Sequence, residues 1–234
     1  MKEAYIRFMA PVMPNTTAAL FQIIDKKLHD RFERIHLMIS SPGGSVFHGL
    51  SLHNFLKGAP VEVYTYNFGI VDSIGVVIFC SGCKRFSVPH ARFLIHGVQA
   101  QFVGNQSLDE KDLEERLKGL QIDYKNIARV IADTTQKATD KVLEDMNNRT
   151  TLNPQEAKDY GLVHEIKAAL FPLDGDLSVV GENAAVQQVV QLPAVPPQSP
   201  QPTQVQHLTA PQIQATTKSV TLAHQTNIVA HQQF

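Results

Sequence analysis

No stretch of about 18 apolar residues occurs anywhere in the chain, so the sequence offers no segment able to cross a bilayer as a helix. The opening MKEAYIRFMAPVMP also lacks the basic segment and apolar run of a secretory signal, and a soluble, cytoplasmic protein is expected. Charge of one sign is missing too. With 21 Lys and Arg against 22 Asp and Glu, the net charge is −1, which removes the electrostatic case for nucleic acid or an anionic membrane as partner. Cysteine is scarce, with Cys80 and Cys83 alone in FCSGCKR. No second ligand pair has the spacing that zinc needs. The flanking GVVIFCSG reads as a buried segment in which cysteine is a small hydrophobe, so no metal is expected. A phosphate-binding G-x-x-x-x-G-K-[ST] motif is absent as well. Any dependence on ATP would have to come from another protein, and no cofactor is expected.

What is present is an alternation of strand and helix. YIRFMA (5–10) and IHLMIS (35–40) read as strands, with a helix in NTTAALFQIIDKKLHDRF between them capped by Asn15 or Thr16. A helix over 46–57 leads to a strand at 61–68. An apolar segment follows from Ile74 to Phe79, then a strand in ARFLIHG. This order predicts right-handed βαβ units and a mostly parallel sheet, an α/β core. Residues 107–147 are rich in helix formers, with Leu113, Leu117, Leu120, Tyr124, Ile127 and Val130 in one stripe. A helix of about 25 residues exceeds what a small core needs, so part of that stripe is free to pack on another subunit. LNPQEAKDYGLVHEI reads as a short helix starting at Pro154 and stopping at Gly161, then a strand. Beyond about Phe171 the composition turns to glutamine and proline, and Lys218 is the single charged side chain after Glu182. Two parts are expected: a folded domain over 1–170 and a low-complexity tail over 171–234 with little fixed structure.

Three short stretches carry chemistry. SSPGGS (40–45) places paired glycines where a strand gives way to a helix, which permits close backbone approach and leaves amide hydrogens to point at a ligand. In GIVDSIGVV, Ser73 sits between a strand and an apolar segment, as in a strained elbow that exposes a hydroxyl, though without G-x-S-x-G spacing. FLIHG ends a strand on His96. Each is weak alone.

Taken in order, SSPGGS, GIVDSIG, ARFLIHG and LNPQEAKDYGLV resemble the successive signatures of the ClpP family, the proteolytic subunit of the Clp protease, over roughly Tyr5 to Ile166. The resemblance implies a ClpP/crotonase-like spiral of ββα units with a protruding helical handle at 107–147. It also implies a serine endopeptidase acting on unfolded proteins or peptides. Ser73 would be the nucleophile and His96 the general base. The backbone amides of Gly44 and Ile74 would form the oxyanion hole. Homo-oligomers, ring-shaped in that family's manner, are implied by the resemblance as well.

Several positions depart from the pattern. The family's acid falls on Arg149 without a gap, and no acid lies in 146–155, leaving Asn148, Thr150 or Asp145 to orient the imidazole. A neutral orienter supports an imidazolium poorly, so slow activity or a site completed by rearrangement is expected. Asp72, where the family has a small residue, should point away from Ser73 in an extended segment and is read as a structural or substrate-contact residue. The chain begins almost at its first strand, without the segment that forms axial loops in the family, which weighs against engagement of an AAA+ unfoldase. Two alternatives stand beside the peptidase: a catalytically weak or inactive assembly or binding subunit, and acyl-CoA chemistry on the same fold.

Overall fold

The computed structural model describes residues 2–99, 104, 107–170, 172, 175–182 and 187–190. Five parallel strands build the centre of the molecule. β1 (Glu3–Met9) lies beside β2 (Arg34–Ser41), and β2 beside β3 (Glu62–Asp72). β3 is long enough to serve two neighbours in succession, β4 (Lys84–Ser87) along Tyr64–Asn67 and β5 (Arg92–Ile95) along Ile70–Asp72. The sheet therefore branches at β3 between β4 and β5. β6 (Thr150–Leu152) closes antiparallel on β5, and β7 (Glu165–Ile166) runs parallel to β4.

Helices cover the sheet because each parallel connection must cross over it. α1 (Pro14–His29) buries Leu20 and Ile24; α2 (Val46–Gly58) buries Leu52 and Leu56; α3 (Ile74–Phe79) is buried throughout. They meet β1, β2, β3 and β5 in a core whose largest fully buried side chains include Phe8, Phe79 and Phe93. Each such phenylalanine contributes roughly 1.5–3 kcal/mol through burial. The start of α1 differs from expectation. Pro14 takes the first helical position, and Thr16, rather than capping, receives the Met13 N–H on its Oγ1 at 3.0 Å.

The expected helix of about 25 residues in the 107–147 segment is α4 (Glu110–Thr135), 26 residues long, and a second helix, α5 (Thr139–Asn147), follows a break at Gln136 in a left-handed conformation. The base of α4 enters the core through Ile127, Ala128, Ile131 and Ala132, whereas Leu113 and Leu117 near its start are 50% and 58% exposed. Buried Arg85 fixes that base, donating to the carbonyls of Thr134, Gly161 and Leu162. α6 (Pro154–Asp159) begins and ends where Pro154 and Gly161 indicate, with Gly161 at φ 89°.

The boundary near residue 170 needs correction. β8 (Asp176–Gly181) adds to the free side of β1 in parallel, buries Leu177 and Val180, and sends Asp176 to Lys27 at 2.7 Å. β9 (Gln187–Val190) pairs with it antiparallel. A short apolar alternation inside a glutamine- and proline-rich composition was enough to extend the sheet. The sheet thus continues through Val190, and the rest of the expected tail lies outside the described residues.

Three histidines give the fold a pH dependence. His36 is buried beside Tyr66, His53 donates through Nδ1 to the Val77 carbonyl at 2.8 Å, and His164 abuts Arg85. Burial holds each imidazole below its ordinary 6.5, only partly opposed at His36 by the Glu3 carboxylate and reinforced at His164 by Arg85. Because the unfolded chain binds these protons first, their contribution is complete above about pH 6.5 and is lost as pH falls below it. Denaturant midpoints measured from pH 7.5 to 5 are expected to fall, and less steeply in His53→Gln.

Candidate active site

The site forms where β2, β3 and β5 end, at the carboxyl side of neighbouring parallel strands. After β2 the chain turns through Pro42, Gly43 and Gly44, with φ of 90° and 146° at the two glycines. The glycines serve different approaches. A Cβ on Gly43 would stand 2.6 Å from the Ser73 Cβ and 2.8 Å from the Asp72 carbonyl, whereas one on Gly44 would stand 2.3 Å from the Val12 carbonyl oxygen. Val12 N–H donates to the Gly43 carbonyl at 2.7 Å, Ser45 N–H donates to the Val12 carbonyl at 2.8 Å, and Gly43 N–H turns to Ser41 Oγ at 3.2 Å. The Gly44 amide is thereby left without an acceptor among the described residues, at an exposed position.

β3 arrives at Ser73 through a bulge. Its register against β2 jumps between Ile39↔Asn67 and Ser41↔Val71. Asn67, fully buried, holds the bulge: its Nδ2 donates to the Arg92 carbonyl at 2.8 Å and its Oδ1 accepts the Gly69 N–H at 3.0 Å. At Gly69 the chain passes close to Ser40, whose Oγ would stand 2.8 Å from an added Cβ and would have to turn aside. The sequence signal for this device is a glycine inside a strand pattern, which marks a bulge or close approach.

Ser73 itself has φ 58° and ψ −129°. A β-carbon at that φ costs about 1–3 kcal/mol and persists only where the surroundings enforce it. Here its N–H donates to the Leu94 carbonyl at 2.8 Å and its carbonyl accepts the Val76 N–H at 3.0 Å. The elbow predicted from GIVDSIGVV is therefore present, between β3 and α3. Ile74 opens α3, so its amide has no partner within the helix. Ile74 also packs on α2 where Gly49 makes room.

His96 lies just past β5, half-buried, two residues beyond the Leu94 that holds Ser73. Its Nδ1–H donates to the Gly97 carbonyl at 2.7 Å. With the proton on Nδ1, the neutral ring keeps Nε2 free to accept one. No hydrogen bond joins Ser73 Oγ to His96 among the described residues. Such contacts commonly tighten only once substrate is bound.

None of the three groups expected to orient the imidazole reaches it. Asp145 accepts the Tyr160 hydroxyl at 2.7 Å and pairs with Lys141 at 2.9 Å; Thr150 Oγ1 donates to the Asp145 carbonyl; Asn148 is exposed at the end of α5. The β5–β6 ladder pairs Ile95 with Thr150, so its register carried one step further sets Arg149 across from His96. The orienting contact the structure does contain, the Gly97 carbonyl, has no side chain by which sequence could announce it. Asp72 is buried and pairs through Oδ2 with Arg92 at 2.8 Å.

Cys80 is buried in the core and Cys83 exposed, and burial pushes the Cys80 thiol up to about 11, opposite to the thiolate character of redox cysteines. A separate cleft lined by Leu28, Phe32, Leu56, Val61 and Val63 opens by the start of β3, remote from the elbow in the fold.

A family model described as Clp protease matches residues 1–169. The ATP-dependent Clp protease proteolytic subunit 2 of Corynebacterium glutamicum is 32% identical over 155 residues, 65% of this chain and 75% of that protein. Its counterpart in Corynebacterium diphtheriae is 31% identical over 155 residues, 65% and 76% of the two chains. An asparagine-to-aspartate mutant of ClpP1 from Listeria monocytogenes superposes with a TM-score of 0.62 at 26% identity, over 70% of this chain and 91% of that one. No helix among the described residues is long and apolar enough to cross a membrane.

Proposed function

The chain belongs to the Clp protease family, a family of serine proteases, and on that premise we propose that it is an endopeptidase acting on unfolded proteins or peptides, with Ser73 as nucleophile and His96 as general base. The observation that carries this reading is the strained Ser73 elbow packed against Gly43, with Ile74 N–H on one side and Gly44 N–H on the other free of acceptors. Ser73 Oγ attacks the scissile carbonyl while Nε2 of His96 takes its proton and then returns it to the departing amine. The Gly44 and Ile74 amides receive the oxyanion, and each such donor is commonly worth a hundredfold to a thousandfold in turnover.

The half-buried His96, with its proton held on Nδ1 by Gly97, supports this role because the nitrogen left over is the one a base needs. Exposure of Leu113 and Leu117 along the start of α4 supports homo-oligomers built through the handle. ATP dependence is named for the corynebacterial relatives, and an ATP-driven unfoldase would be a separate chain here.

A fluorophosphonate probe tests the reading. Labelling of the wild-type protein that disappears in Ser73→Ala is the expected result. Absence of labelling in assembled wild-type protein would instead favour a non-catalytic assembly subunit, the reading that the missing acid near Arg149 suggests.

A further inference from the structure

The carboxylate missing from its expected place has a candidate replacement on the other side of His96. Asp72 sits opposite Leu94 in the β3–β5 ladder. Residues two apart in a strand share a face, so Arg92, Leu94 and His96 all lie on the face that Asp72 shares. Asp72 is flanked diagonally by a cation on one side and the imidazole on the other. It is 6% exposed. Its Oδ2 bonds Arg92 at 2.8 Å, while its Oδ1 is buried and has no hydrogen-bond partner. A buried carboxylate oxygen without a donor is costly and calls for an explanation. The ionisable groups facing Asp72 are Arg92 and His96, both from β5 and its continuation.

Resting on the peptidase reading, we propose that Asp72 is the acidic positioning residue of this site, its unpartnered oxygen supporting the His96 imidazolium that forms when Ser73 gives up its proton. No bond to Asp72 is made or broken in this step. The Ser73 proton moves to Nε2, the positive ring is compensated by the neighbouring carboxylate, and the proton then leaves with the amine. In the resting arrangement Nδ1–H is held by the Gly97 carbonyl and Asp72 by Arg92. Turning the ring from Gly97 towards Oδ1 would exchange a neutral acceptor for an anionic one. Arg92 is half exposed and competes for the same carboxylate, so it weakens the support that Asp72 gives.

The test is kcat/KM for a fluorogenic peptide against pH in wild type, Asp72→Asn and Arg92→Gln. Removing a carboxylate beside an imidazole lowers the imidazole's affinity for protons. Asp72→Asn is therefore expected to lose about 10²–10⁴-fold in kcat/KM, with its acid limb displaced to lower pH. Arg92→Gln, which removes a competing cation, is expected to displace that limb to higher pH. An Asp72 that is merely a nearby charge would displace the limb with less than about a tenfold loss of kcat/KM on the plateau, and that result overturns the proposal, as does a limb that does not move. Should Asp72→Asn fail to fold by circular dichroism, Arg92→Gln decides through its plateau: freeing Asp72 from the competing cation is expected to raise kcat/KM there, and an unchanged or lowered plateau overturns the proposal. Failure of the peptidase reading is distinguishable, because wild-type protein would then show neither hydrolysis nor fluorophosphonate labelling.

Discussion

Peptide hydrolysis is expected to fall by about 10⁴–10⁶-fold when Ser73 is replaced by alanine, and by a comparable factor in His96→Ala. The double variant should be no slower than the worse single one. Nucleophile and base act as a unit. Once the serine oxygen is gone there is no proton for the imidazole to remove, and without the imidazole the hydroxyl is a weak nucleophile at neutral pH. The residue of catalysis left in each variant would come from binding and from the Gly44 and Ile74 amides, which neither substitution removes. Turnover of a fluorogenic peptide and of unfolded casein, without ATP, is the measurement. Losses that multiply in the double variant would mean that the two side chains serve different steps and would break the proposed pairing.

Gly43→Ala is expected to reduce kcat/KM by at least about a hundredfold while the protein stays folded. The added carbon would meet the Ser73 Cβ at 2.6 Å and the Asp72 carbonyl at 2.8 Å, with φ at 90°. Neither obstacle is the movable end of a long side chain. The loop and the elbow must part, and a displacement of about 1 Å at a reacting atom can cost a hundredfold in rate. The added strain of a left-handed alanine is about 1–2 kcal/mol, small enough to leave a folded protein for comparison. Gly44→Ala makes a useful companion because its carbon meets Val12 instead of the serine. Its damage should appear in the loop's free amide rather than at the nucleophile. Wild-type kcat/KM in Gly43→Ala would show that the loop tolerates separation from Ser73.

These residues also show what the sequence could and could not disclose. Paired glycines after a strand announce a close approach, and a serine between strand and helix announces an elbow, because both are local requirements of the backbone. Which glycine faces the serine and which faces Val12 depends on a contact with the loop before α1, distant in sequence. Asp72 illustrates the same limit more sharply. Its side chain follows the alternation of β3, which ends before the Ser73 elbow, and only the cross-strand register reveals that His96 lies on its face. The Gly97 carbonyl is a backbone group and leaves no trace in residue type. Asn67 reads as an ordinary polar residue until Arg92 lies beside it. The βαβ core, the handle and the Pro154-to-Gly161 helix were legible because each rests on periodicity or on a stop signal. β8 was hidden by the composition around it.

β8 also has a bearing on how this protein can be shortened. The family match ends at residue 169, and a chain cut there would look complete by sequence. Yet β1 would lose its parallel neighbour along Ala4–Met9 and present a row of unanswered N–H and C=O groups beside the vacated seats of Leu177 and Val180. An open strand of that kind is a template for another chain. Retaining Asp176–Gly181 together with the Gln187–Val190 strand that pairs with it therefore protects the domain against edge-to-edge polymerisation, and the useful place to trim lies beyond β9.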